Sequence, residues 1–111
     1  MPVVLLPRPA FILAVNERIG WLAEHRDEGQ LDNFLSGLAE VRRRIEQNPE
    51  AGPPLKSSKT HVLRMRLFPR PLPYLAYYGH PRARPVTEAY LVRLYGSGQH
   101  RERFDMSEWP W

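Results

Sequence analysis

The sequence predicts a small α+β domain, one helical hairpin packed on an antiparallel sheet, in the order β-α-α-β-β-β. Three observations point there. Two stretches in the N-terminal half repeat their apolar residues every three or four positions. Three stretches in the C-terminal half are short, aromatic or β-branched, and bounded by proline or glycine. At 111 residues, with 42% hydrophobic and 25% charged residues, the chain suits one domain with a modest core. The expected domain spans 1–111, with 105–111 a short aromatic tail.

Val3–Leu6 is a compact apolar run closed by Pro7 and reads as the first strand. From Pro9 the period changes. Ile12, Val15, Ile19 and Leu22 form an apolar stripe, and Pro9 fits a first-turn position where its missing N–H is not needed. Asp27-Glu28-Gly29 ends this helix. The second helix carries Leu31, Phe34, Leu35, Leu38, Val41 and Ile45 on one side. Asp32 near its start and Arg42-Arg43-Arg44 near its end complement the macrodipole, and Asn48-Pro49 stops it. Residues 50–59, rich in Pro, Gly and Ser, show no periodicity and read as a linker.

In Thr60–Phe68, Leu63, Met65 and Leu67 alternate with Arg64 and Arg66. Pro69-Arg70-Pro71 makes a turn into Leu72–Gly79, with Leu75 and Tyr77 on one face and Tyr74, Ala76 and Tyr78 on the other. His80–Pro85 reads as a basic loop. Ala89–Tyr95 is the most apolar strand, with Tyr90, Val92 and Leu94 expected in the core and Arg93 on the opposite face. The helices are expected to cover one face of the sheet, leaving Arg64, Arg66, Tyr74, Tyr78 and Arg93 on a partly open one.

Charge is unevenly placed. The chain carries +4 overall, but residues 1–55 hold 6 Lys/Arg against 8 Asp/Glu, and residues 56–111 hold 10 against 4. The basic half suits an anionic partner, nucleic acid or acidic protein. With no cysteine, disulfides and thiolate metal sites are excluded. His25, His61, His80 and His100 are scattered without metal-ligand spacing, so no metal and no cofactor is expected. The N-terminal run is broken by Pro7, Arg8 and Pro9 and is too short to span a bilayer, so a cytoplasmic, non-membrane protein is expected.

Four segments together resemble the RelE/ParE toxin superfamily of bacterial type II toxin–antitoxin systems. They are R-R-R-I-E-Q-N-P-E-A-G-P-P-L at the close of the second helix, H-V-L-R-M-R-L-F, P-Y-L-A-Y-Y-G, and the ending Y-L-V-R-L-Y-G-S-G-Q-H-R. Asn48, Pro49, Gly52, Pro54 and Leu55 fit the N-P-x-x-G-x-P-L type segment of ParE-like members. The resemblance implies one of two activities. ParE-like members poison DNA gyrase. RelE-like members are metal-independent endoribonucleases that cut mRNA on the ribosome. Both are neutralised by a cognate antitoxin, and a toxin dimer within the toxin–antitoxin complex is compatible with the resemblance.

Under the ribonuclease reading the resemblance makes Arg64, Arg66, His100 and Arg101 the catalytic candidates: cations for the phosphorane charge, and an imidazole for proton transfer. Two family cations are missing, their positions falling at Tyr74 and near Gly98. Under either reading Arg64, Arg66, Arg70, Tyr74, Tyr78, Arg93, Gln99, Arg103 and Trp109 are candidates for binding target or antitoxin. The ParE-like side is favoured. The alternatives are the mRNA interferase, and a non-toxic module on the same fold that binds protein or nucleic acid.

Overall fold

A computed structural model of the chain describes residues 3–25 and 28–96. Its elements are β1 (Val4–Pro7), α1 (Pro9–Glu24), α2 (Glu28–Gln47), β2 (Pro54–Ser57), β3 (His61–Leu67), β4 (Leu75–Pro81) and β5 (Glu88–Tyr95). The five strands form one sheet in the order β1-β5-β4-β3-β2. β3, β4 and β5 form the expected antiparallel meander, and β2 adds antiparallel to β3. β1 lies parallel to β5, so the sheet is mixed rather than antiparallel throughout. The helical hairpin is what allows this: it carries the chain across the sheet before the meander begins.

The strand count also differs from expectation. β2 falls inside the segment that reads as a linker. It has no buried residue, so it lacks the alternation that marks a half-buried strand, and Pro54 sits at its first position. Backbone pairing with β3 defines it instead, with Pro54 opposite Arg64 and Lys56 opposite Leu63 across an irregular register. β4 starts three residues later than predicted and continues through His80 and Pro81, which the sequence reading placed in a loop.

The main core lies between hairpin and sheet. α1 contributes Phe11 and Leu22, with Val15 and Ile19 packed against them; Ile12, expected in this stripe, is 44% exposed. Phe11 takes its place because 11, 15 and 22 lie closer to one line on the helix than 12, 15 and 22. α2 contributes Phe34, Val41 and Ile45, all fully buried, while Leu35 faces outward. Arg43 and Arg44 both bond Glu40, so two of the three arginines belong to a helix-surface ion cluster. These bonds hold the Glu40 carboxyl down at about 2.

From the sheet, the core receives Ala76 and Tyr78 of β4 and Ala89, Leu91 and Leu94 of β5. Strict alternation would put Leu94 with Val92. A bulge in β5 prevents it: Tyr78 pairs with Leu91 and Tyr77 with Arg93, so Val92 is the extra residue. Downstream of it the face assignment inverts. Leu94 therefore joins Ala89 and Leu91 toward the helices, while Val92 belongs to a second cluster and Tyr90 is half-buried. That second cluster, on the other face, holds Leu63, Leu75, Tyr77, Val92 and Tyr95, with Met65 packed against it. Both sheet faces thus bury apolar residues.

Candidate functional site

The expected open cationic face is not assembled. Arg64 pairs with Tyr78 and Arg66 with Ala76, which puts both arginines on the helix-side face, at its margin. Tyr78 is fully buried in the main core. Arg93 pairs with Tyr77 and lies on the opposite face, with its guanidinium 5.8 Å from the centre of the Tyr95 ring. The sequence reading had grouped these residues because it took Leu63, Met65 and Leu67 to face the helices. They point the other way.

On the helix-side margin the chain builds a hydrogen-bonded cluster around the segment that follows α2. The Tyr78 hydroxyl donates to the Pro49 carbonyl at 2.7 Å and accepts from the Gly52 N–H at 3.2 Å. Burial raises the Tyr78 phenol above its ordinary range, opposed by the Gly52 bond and by the charges of Arg64 and Arg66. Arg64 donates from Nη1 to the Gly52 carbonyl at 2.8 Å and from Nε to His80 Nε2 at 2.9 Å. His80 is 1% exposed, and its Nδ1 lies 2.8 Å from the Pro81 carbonyl. One ring nitrogen donating to a carbonyl and the other accepting from a guanidinium requires the neutral imidazole protonated on Nδ1.

Burial is the main cause that lowers the His80 pKa; the Pro81 carbonyl opposes it and Arg64 reinforces it. The ring is therefore a fixed acceptor, closed to a substrate. Gly52 is required by space. A Cβ there would collide with the Met65 carbonyl oxygen and stand 2.6 Å from the Tyr78 hydroxyl. The Pro49–Gly52 segment is thus latched to the sheet through Tyr78, Arg64 and the close approach of Gly52.

Beside this latch is Arg66. Among the described residues its side chain has no hydrogen bond and no ion pair, and with Arg44, Pro53, Met65 and Leu67 it lines a hollow of about 200 Å³. Arg70 is exposed at the Pro69–Leu72 turn, next to Ser36 and Gly37 of α2. Tyr74 just precedes β4 and turns toward the helices, edge-on to Phe34 with ring centres 5.0 Å apart. Gln99, His100, Arg101, Arg103 and Trp109 lie outside the described residues.

Of the four ribonuclease candidates, the two described ones thus take different parts: Arg64 is committed to backbone and imidazole, and Arg66 is available. His80 was missed as a partner of Arg64. The signal for it was the period of two, which puts Tyr78 and His80 on one face of β4 once the strand is extended past Gly79. Among the described residues no group of three or more His, Asp or Glu could hold a metal ion, and no helix is long and apolar enough to cross a membrane. Compared with known proteins, the chain matches no family model and no curated sequence.

Proposed function

We propose that the protein is the toxin of a type II toxin–antitoxin pair in the RelE/ParE superfamily, acting by binding an essential target, with DNA gyrase the ParE-like expectation. A helical hairpin on a sheet that ends in an antiparallel meander supports the class, together with the four motif segments. The choice between target binding and RNA cleavage is carried by one observation. Arg64, the strand cation a nuclease would aim at the phosphorane, is held by two of its N–H donors, one on the Gly52 carbonyl and one on His80. Those bonds orient the guanidinium toward the segment after α2 rather than toward developing charge on a substrate.

The ribonuclease reading keeps one specific support: Arg66, whose guanidinium has no hydrogen bond or ion pair among the described residues, shares a hollow with Arg44 beside the latch. Two assays on the purified chain separate the readings. Inhibition of gyrase supercoiling with translated mRNA left intact is the expected result. Primer extension showing ribosome-dependent mRNA cuts, with supercoiling unaffected, would overturn it in favour of the interferase. Growth unaffected by expression without any antitoxin would leave the non-toxic binding module.

A further inference from the structure

A different part of the molecule carries a ligand-binding arrangement that the sequence reading did not single out. The Arg18 guanidinium of α1 lies 5.5 Å from the centre of the Trp21 ring and 5.5 Å from that of Tyr74. Trp21 in turn stacks on His25, with ring centres 3.9 Å apart. Gly96, just past β5, closes the other side: a Cβ there would stand 3.4 Å from Tyr74 and 3.5 Å from an Arg18 terminal nitrogen. Arg18, Trp21, Tyr74 and Gly96 line a hollow of about 270 Å³ that also receives Glu17.

Two rings flank this guanidinium, a group whose N–H edge grips an oxyanion in two-point fashion. Among the described residues no carboxylate is ion-paired with Arg18. Among the described residues, the arrangement is a cation between two rings with no anion seated on it.

Three features decide which anion. The charged residues of α1 are Glu17, Arg18 and Glu24, so the helix bears net negative charge and would repel a run of phosphates. The hollow has side-chain dimensions. And exposed apolar residues adjoin it on the same side of α1: Leu13, Gly20 and Trp21 fall at i, i+7 and i+8, with Glu17 between them at i+4, and Leu13 is 60% and Trp21 47% exposed. A Cβ at Gly20 would meet nothing within 4 Å, so the strip is open to an approaching chain there.

We infer that the Arg18 hollow and the adjoining α1 strip bind a peptide segment of a protein partner, seating one Asp or Glu carboxylate on Arg18 and laying neighbouring apolar side chains over Trp21, Gly20 and Leu13. This goes beyond the toxin reading. It rests on α1, Tyr74 and Gly96, and it involves neither gyrase nor mRNA.

The test pans a displayed library of short random peptides against the full chain and against Arg18→Gln, with affinities of the enriched peptides then measured in solution. The expected result is a set of peptides sharing one acidic position flanked by apolar residues. Their affinity falls at least ~10-fold on Arg18→Gln, and equally when that acid is changed to its amide. Glu17→Gln, a solvent-side change that keeps the fold if Arg18→Gln does not, is expected to tighten binding by removing a repulsive carboxylate. No enrichment, enriched peptides without a shared acid, or affinity unchanged in Arg18→Gln or in Glu17→Gln would overturn the inference. So would an oligouridylate that shifts the Trp21 indole and Arg18 Nε–H resonances at lower concentration than the best peptide. None of these outcomes depends on toxicity, so the peptide site and the toxin reading can fail separately.

Discussion

Replacing Arg64 with methionine separates a structural arginine from a catalytic one. Methionine keeps much of the aliphatic stem and removes the guanidinium. Two bonds are lost, to the Gly52 carbonyl at 2.8 Å and to His80 Nε2 at 2.9 Å, and both acceptors belong to buried residues. An orphaned buried acceptor costs about 1–3 kcal/mol, so the pair should cost ~3 kcal/mol after allowance for relaxation. For a chain of 111 residues, an unfolding entropy of ~2.1 cal/mol/K per residue turns ~3 kcal/mol into a fall of about 13 °C in Tm. Calorimetry and urea unfolding would read it, with the midpoint lowered and the slope kept. Combining the change with Tyr78→Phe, which frees the other side of Gly52, should give less than the sum of the single effects, since both side chains hold one peptide unit. An Arg64→Met protein that melts like the wild type and has lost an mRNA-cleaving activity would refute the reasoning, because the guanidinium would then be serving a transition state.

Other expectations follow from the same geometry. His80 has its pKa lowered in the folded state, so the neutral ring contributes stability that is fully present above the unfolded value of about 6.5 and is lost as pH falls below it toward the depressed folded value. His61, lowered chiefly by burial, acts in the same direction. Urea midpoints should therefore drop on acidification below about pH 6.5, less steeply in His80→Gln, and an unchanged slope would count against a neutral buried ring. Gly52→Ala should destabilise by ~3 kcal/mol or more, because the obstructing groups are a backbone carbonyl and a hydrogen-bonded phenol. Gly37→Ala meets the end of the Leu72 side chain at 2.5 Å, which can turn away, so it should cost about 1 kcal/mol. Arg66→Gln should change stability by less than ~0.5 kcal/mol while lowering the salt needed to elute the protein from heparin.

The mixed sheet and its fifth strand apart, the sequence by itself determined the α+β class, the two helices, the three strands of the predicted meander and the first strand. Each of these writes its burial into a period: 3.6 residues for Phe34, Val41 and Ile45, two for Leu63 against Arg64. It also marked Asn48–Leu55 as special without showing why. Tertiary structure alone decided which face each period serves. Leu63 and Met65 alternate with Arg64 and Arg66 equally well whichever side the helices take, and the helices lie over the arginine side. The bulge at Val92 then carried Leu94 to one face and Arg93 to the other, a one-residue event that leaves no trace in composition. β2 was illegible because a fully exposed edge strand is specified by its partner's backbone rather than by its own side chains. For the same reason the bonds of Arg64 and the ring contacts of Arg18 are not legible in the sequence. A guanidinium is assigned by what its N–H groups and its face meet, and Gly52 and His80 reach Arg64, and Tyr74 reaches Arg18, only when the chain closes on itself.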